Sequence, residues 1–122
     1  MRKRILVVDD DRMNLLRTKK ILESQYDVLL SESGKDALEM LETELDPIDL
    51  ILLDIEMPGM NGIETFERIR TYPIKIPVIF LTASGDKEDV LSAIKLGAVN
   101  YLKKPFFPQE LLKRVAKEFE KE

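Results

Sequence analysis

Short apolar runs alternate with longer stretches of mixed polarity along the whole chain. Each run is too short for a buried helix and is rich in β-branched residues, which is typical of a strand. The first, third and fourth runs are continuously apolar, as expected for strands covered on both faces of a sheet. The predicted strands are residues 5–8, 28–30, 50–53, 78–81 and 99–102.

The stretches between the runs carry apolar residues at helical spacing and predict five helices. The first covers residues 11–25, Ser33 is a candidate N-cap for the second, Gly97 should end the fourth, and Pro108 suits the first turn of the fifth. The predicted inward faces are Leu15, Thr18 and Leu22; Ala37, Leu38, Leu41 and Leu45; Ile63, Phe66 and Ile69; Val90, Ile94 and Gly97; and Leu111, Val115 and Phe119.

This alternation predicts an α/β fold, with a parallel sheet, right-handed crossovers and helices on both faces. At 122 residues the chain has the length of one domain, and residues 1–122 are expected to form it without a further effector domain. In such sheets, ligands bind at the carboxyl ends of the strands, near the point where the strand order reverses. Function is therefore expected in the residues that follow each apolar run.

Polar side chains of complementary chemistry follow four of the five runs. Carboxylates that meet at one edge of the sheet, about 5 Å apart, repel each other by roughly 3 kcal/mol per pair at an effective dielectric near 20. Such a cluster takes up protons or binds a cation. The strand-end residues are Asp9, Asp10 and Asp11 after the first run, Asp54 after the third, Thr82 and Ser84 after the fourth, and Lys104 after the fifth.

Composition narrows the identity of the cation. The chain has no His and no Cys, so every available side-chain ligand is an oxygen atom. Oxygen ligands favour a hard ion, Mg²⁺ or Mn²⁺, over zinc or copper. The absence of His also means that the chain cannot itself carry a phosphohistidine.

The net charge argues against nucleic-acid binding, and the hydropathy pattern argues against insertion into a membrane. The formal net charge is −4, with 19 basic and 23 acidic residues, so direct nucleic-acid binding is not expected. No apolar run approaches the roughly 18 residues that a membrane span needs, and residues 5–8 are too short for the core of a signal peptide. We therefore expect no membrane insertion and a cytoplasmic location.

The strand-end residues suggest a reaction. An aspartate carboxylate can act as the nucleophile in phosphoryl transfer, and Asp54 follows four apolar strand residues at the expected binding edge. The transferring group spreads its charge over three oxygens. A metal ion, the Lys104 ammonium and the Thr82 hydroxyl are each suited to stabilise one of them.

Four segments carry a resemblance to a known family. Residues 7–11 (Val-Val-Asp-Asp-Asp), 53–62 (Leu-Asp-Ile-Glu-Met-Pro-Gly-Met-Asn-Gly), 81–83 (Leu-Thr-Ala), and 97–98 with 101–106 (Gly-Ala; Tyr-Leu-Lys-Lys-Pro-Phe) occur in this order. Together they resemble the CheY-like receiver domain of bacterial two-component response regulators, over essentially the whole chain. The resemblance implies a flavodoxin-like, doubly wound sheet with strand order 2-1-3-4-5 and five helices.

The resemblance also implies a role for each matched position. Asp54 resembles the phosphoacceptor, which would be loaded from a phosphohistidine of a sensor histidine kinase or phosphotransfer protein. The face formed by helix 4, strand 5 and helix 5 would then bind a downstream effector protein, and the chain would assist only its own phosphorylation and dephosphorylation. The implied Mg²⁺ (or Mn²⁺) ligands are Asp9, Asp10, Asp54 and the Glu56 backbone carbonyl. The implied phosphate-binding and switch residues are Thr82, Lys104 and Tyr101, and Pro105 is expected to be cis. The Glu56 and Ser84 side chains are candidates for tuning the aspartyl-phosphate lifetime.

Simpler explanations apply to some of these positions. Asp11 is expected to cap the first helix, and Lys103 is expected to face solvent. Two other functions also fit parts of the pattern. A phosphatase of the haloacid-dehalogenase type would need Asp where Glu56 stands and metal-binding acids downstream of the lysine. A flavodoxin-like electron carrier would need a hydroxyl- and Gly-rich first loop to hold a phosphate, whereas Asp9–Asp11 would repel it.

Overall fold

Five strands alternate with five helices in a computed structural model that describes residues 2–44, 46–73, 75–83 and 87–121. Leu45 and Ser84 lie outside the described residues. Within the described part of the chain, no helix is long and apolar enough to span a bilayer. In chain order the elements are β1 Arg4–Val8, α1 Arg12–Leu22, β2 Asp27–Ser31, α2 Gly34–Thr43, β3 Leu50–Asp54, α3 Gly62–Ile69, β4 Val78–Thr82, α4 Lys87–Lys95, β5 Asn100–Lys103 and α5 Pro108–Glu120.

The strands form one parallel sheet in the order β2-β1-β3-β4-β5, which confirms the predicted topology. The order reverses between β1 and β3, because the chain adds β2 on one side of β1 and the later strands on the other. Val8 pairs with Leu53 across this junction. The next residues, Asp9 and Asp54, therefore leave the two central strands side by side.

Alternate side chains of the central strands pack into two apolar layers, one on each face of the sheet. One layer lies against α2, α3 and α4, and the other against α1 and α5. Both faces are covered, which explains why the central strands are continuously apolar. The first layer includes Leu6, Val8, Ile51, Leu53, Val78 and Phe80, and the second includes Ile5, Val7, Leu50, Leu52, Ile79 and Leu81.

The helix ends follow local chemistry. The Asp11 carboxylate accepts hydrogen bonds from the Met13 and Asn14 N–H groups, so Asp11 caps α1 as predicted. Ser33 caps α2 in the same way, through its hydroxyl and the Asp36 N–H. Gly97 follows α4 with φ +94°, a backbone conformation that strongly favours glycine after a helix. Helix α1 ends at Leu22, three residues before the predicted end at residue 25.

The predicted inward face of α4 is wrong at Ile94. That side chain is 58% exposed, whereas the neighbouring Ala93 is buried in the core. Apolar residues at i, i+4 spacing do not by themselves determine which face of a helix packs on the sheet. A small residue such as Ala93 permits close packing of the helix on the sheet. Strand β5 also begins at Asn100, one residue later than predicted.

The outer edge strand, β5, is tied to α5 by side chains. Arg114 Nη1 donates to Asn100 Oδ1 at 2.7 Å and to the Tyr101 carbonyl at 3.2 Å. Asn100 Oδ1 also accepts the Tyr101 N–H at 2.8 Å. Both backbone polar groups of Tyr101 therefore bind side chains of the same molecule.

Candidate metal and phosphoryl site

Three carboxylates converge where the strand order reverses. Asp9 and Asp10 follow β1, and Asp54 is the last residue of β3. One carboxylate oxygen from each lies within 4.8 Å of the others. Asp9 and Asp54 are buried, at 3% and 7% exposure, whereas Asp10 is exposed. The cluster is thus open to solvent on the Asp10 side.

Hydrogen bonds fix the position of Asp9. Its N–H donates to the Ser31 carbonyl at the end of β2, at 3.1 Å. Its Oδ1 accepts the N–H of Asp11, the N-cap of α1, at 2.9 Å. Asp9 is therefore held by the neighbouring strand and by the start of the first helix.

Lys104 enters the cluster from the end of β5. Its Nζ donates to Asp9 Oδ2 at 2.6 Å and lies 3.7 Å from Asp54 Oδ2. Its backbone N–H donates to the Thr82 carbonyl at 2.8 Å, which extends the β4–β5 pairing to this residue. The Lys104–Pro105 peptide bond is cis. Lys103, one residue earlier, is exposed as predicted.

Burial raises the pKa of Asp54 to about 6. Desolvation of the carboxylate is the largest cause, and the charges of Asp9 and Asp10 act in the same direction. The Lys104 ammonium lowers the pKa, as does a backbone hydrogen bond from Ile55, but together they do not offset burial. The cluster therefore carries an electrostatic cost in the folded state that a cation would relieve.

This raised pKa predicts a pH-dependent stability difference for Asp54→Asn in metal-free buffer. The folded protein binds the Asp54 proton more tightly than the unfolded chain does, so ionisation of Asp54 lowers stability progressively as the pH rises from about 4 to about 6 and keeps it lowered at higher pH. The variant should be more stable than the wild type near pH 7 by up to about 3 kcal/mol, and the gain should vanish as the pH falls towards about 4. Urea unfolding across this range is the measurement, and a difference that does not vary with pH would contradict the raised pKa.

Gly62, at the start of α3, is a part of the site to which the sequence pattern gave no separate role. A Cβ atom on Gly62 would lie 2.1 Å from the Asp54 carbonyl oxygen and 2.8 Å from the Ile55 Cα. The Gly62 N–H donates to the Ile55 carbonyl at 2.8 Å. Only the absence of a side chain lets α3 begin against the end of β3. The sequence signal that could have identified Gly62 was its position, eight residues after Asp54 within a segment that resembles the family.

The other predicted site residues differ in how far their side chains are buried. Thr82 ends β4 and is buried, one residue beyond the Leu81 that pairs with Asp54. Tyr101 lies on β5 with its side chain 43% exposed. Glu56 is exposed in the loop after β3. The structure therefore brings together Asp9, Asp10, Asp54 and Lys104, and places Tyr101 and the Glu56 side chain towards solvent.

The donor set of the cluster fits a hard divalent cation. All three convergent side chains are carboxylates, and one of them is exposed, which leaves room for water among the ligands. The three carboxylates carry more negative charge than the single Lys104 ammonium balances. A buried carboxylate beside an excess of negative charge is an arrangement that Mg²⁺ would stabilise.

Comparison with known proteins agrees with this chemistry. The family described as "Response regulator receiver domain" matches residues 5–116. Curated relatives include the transcriptional regulatory protein CpxR of Escherichia coli K12, 42% identical over 92% of this chain and 47% of its own length. Another is the alkaline phosphatase synthesis transcriptional regulatory protein PhoP of Bacillus subtilis 168, 40% identical over 94% of this chain and 48% of its own length. The chain thus spans about half the length of these relatives.

A solved structure extends the comparison to the whole fold. The CheY-like response regulator receiver domain protein of Methanospirillum hungatei JF-1 superposes with a TM-score of 0.93 at 32% identity. The match covers 99% of this chain and 96% of that one. By sequence, fold and the acidic cluster at the strand ends, the chain belongs to the receiver domain family of two-component response regulators.

Proposed function

We propose that Asp54 accepts a phosphoryl group from a phosphohistidine and that this modification carries the signal. The observation that supports the proposal is the convergence of two buried carboxylates, one exposed carboxylate and one ammonium at the switch in strand order. The receiver would assist only its own phosphorylation and dephosphorylation, with no separate substrate to turn over.

Each residue of the cluster has a distinct task in this reaction. An Asp54 carboxylate oxygen forms the new bond to phosphorus while the bond between phosphorus and the histidine nitrogen breaks, and the imidazole leaves with the electron pair. Lys104 Nζ lies 3.7 Å from Asp54 Oδ2, close enough to stabilise an incoming phosphoryl oxygen. The Thr82 hydroxyl is assigned to a second phosphoryl oxygen, since Thr82 ends the adjacent strand.

Asp9, Asp10, Asp54 and the Glu56 backbone carbonyl are the proposed ligands of Mg²⁺ or Mn²⁺. A bound divalent ion would neutralise charge on the phosphoryl oxygens and on the carboxylates. The carboxylates themselves orient the nucleophile, because Asp9 is fixed by Ser31 and Asp11 and lies beside Asp54.

The proposed output surface is the face formed by α4, β5 and α5. Among the described residues, the large apolar side chains exposed on this face include Leu91, Ile94 and Tyr101, with Val99 exposed just before β5. A change at Thr82, which ends β4, and at Lys104, which follows β5, would reach this surface through these two strands. We propose a sensor histidine kinase or phosphotransfer protein as the donor and a downstream effector protein as the partner of this face.

Incubation with acetyl phosphate, with and without Mg²⁺, tests the proposal by intact mass. The wild type should gain one phosphoryl group only when the metal is present, and Asp54→Asn should gain none. Asp11→Asn is the matched control, because Asp11 is an exposed helix cap outside the cluster. A gain that Asp54→Asn retains would place the acceptor elsewhere, and no gain under any condition would remove the proposed reaction.

A further inference from the structure

A groove of about 400 Å³ opens at the edge of the sheet opposite the acidic cluster. It is formed by the last turn of α2 and by the connections that lead from α2 to β3 and from α3 to β4. Its volume lies within the range of ligand pockets, roughly 300–1,000 Å³, and suits a few side chains of a partner. The apolar walls are Leu41, Pro47, Ile48, Tyr72, Pro73 and Ile76.

Hydrogen bonds hold the walls of the groove in place. The Tyr72 hydroxyl donates to Glu42 Oε1 at 3.2 Å and so ties the α3–β4 connection to α2. On the other side, Arg4 Nη1 donates to the Asp46 carbonyl at 2.6 Å, and Nη2 donates to Glu44 Oε1 at 2.7 Å. The groove is therefore formed before anything binds, which limits the conformational entropy that the protein loses on binding.

The charged residues of the groove are all acidic. Glu42, Glu44 and Asp46 line it, and the described lining residues include no lysine or arginine. Arg4 balances Glu44 through an ion pair at 2.7 Å. Within the described ranges, Glu42 forms no ion pair, and the Asp46 carboxylate has no hydrogen-bonding or ionic partner. Apolar walls beside two unbalanced negative charges favour an occupant that is both apolar and cationic.

We infer that this groove docks a short segment of another protein in which apolar side chains are flanked by lysine or arginine. The inference goes beyond the proposed function and does not rest on it. Ile48 precedes Asp54 by six residues of nearly extended chain, about 20 Å. That distance exceeds the Debye length of about 8 Å, so a charge change at Asp54 acts weakly on the groove. The partner is therefore held before and after phosphorylation.

Titration with capped peptides, followed by amide NMR, tests the docking on the intact chain. The probe is Gly-Lys-Leu-Leu-Arg-Gly, and two control peptides replace both leucines with serine or both cations with glutamate. With the probe, the Leu41, Ile48 and Tyr72 signals should shift, whereas those of Asp9 and Asp54 should not. The serine peptide should bind at least about tenfold more weakly, because the burial of two leucines is lost. The glutamate peptide should produce no saturable shift.

Asp46→Lys and Glu120→Lys are the matched protein variants. Each reverses one exposed negative charge, so the two variants have the same net charge, but Glu120 lies at the end of α5, on the other face of the sheet. We expect Asp46→Lys to weaken binding of the probe by about tenfold and Glu120→Lys by less than about twofold. Circular dichroism checks that both variants fold.

Three results would overturn the inference. The first is equal affinity of the two variants for the probe, and the second is a set of shifted signals that avoids the groove. The third is a dimer of the free chain, seen by sedimentation and dissociated by Asp46→Lys, which would assign the groove to a second copy. None of these results bears on phosphoryl uptake at Asp54, which the intact-mass experiment tests separately.

Discussion

Replacing Phe80 with alanine is expected to lower the free energy of unfolding by about 3–5 kcal/mol. Phe80 lies in the middle of β4 and is 0% exposed. Its ring packs edge to face against Phe66 of α3, with centroids 5.5 Å apart and planes at 80°. The substitution loses both the burial of the ring and this contact, and the close-packed strands around it cannot collapse into the space. Urea unfolding in metal-free buffer measures the loss.

Phe107→Ala is the matched control for Phe80→Ala. It makes the same chemical change at a side chain that is 73% exposed, just before α5. It should alter stability by less than about 0.5 kcal/mol. Similar losses in the two variants would mean that burial on the α2–α3–α4 face does not dominate the stability of the fold.

Gly62→Ala is the second large effect, and it acts on stability and function together. The added methyl group would overlap the Asp54 carbonyl oxygen and the Ile55 Cα, which are backbone atoms that cannot rotate away. The start of α3 must then move from the end of β3. We expect a loss of about 3 kcal/mol or more in unfolding free energy. Phosphoryl uptake from acetyl phosphate should slow by about tenfold to hundredfold, because Asp54 is displaced from the other carboxylates.

Gly59→Ala separates this overlap from a general cost of losing glycine. Gly59 has φ +74°, which disfavours alanine, but a Cβ there would meet no atom within 4 Å. The expected cost is about 1 kcal/mol, with phosphoryl uptake nearly unchanged. If Gly59→Ala and Gly62→Ala slow uptake equally, the close approach of α3 to Asp54 does not position the acceptor.

The fold was predictable because strands that are buried on both faces of a sheet appear in the sequence as continuous apolar runs. The central strands are apolar at nearly every position, and each ends in or is followed by a polar residue. Parallel strands alone predict that Asp9 and Asp54 lie at the same edge of the sheet. That β1 and β3 are neighbours was implied by the family resemblance, which supplied the strand order, and the structure confirms it.

Other features depend on geometry that no local pattern encodes. The choice of Asp9 over Asp54 as the partner of Lys104 rests on a difference of about an ångström in the reach of one long side chain. The exposure of Ile94 depends on how α4 is rotated about its axis. The requirement for Gly62 arises from a contact between a helix start and a strand end, visible only once both are placed.

The side-chain contacts at Tyr101 bear on how this molecule meets others. An edge strand with free backbone groups is a template on which a strand from another chain can add, leading to swapping or aggregation. At Tyr101 the N–H is bound by Asn100 and the carbonyl by Arg114. An incoming strand would have to break both bonds to extend the sheet here. Strand addition at Tyr101 is therefore disfavoured, and contacts that another chain makes at this position must come mainly from side chains.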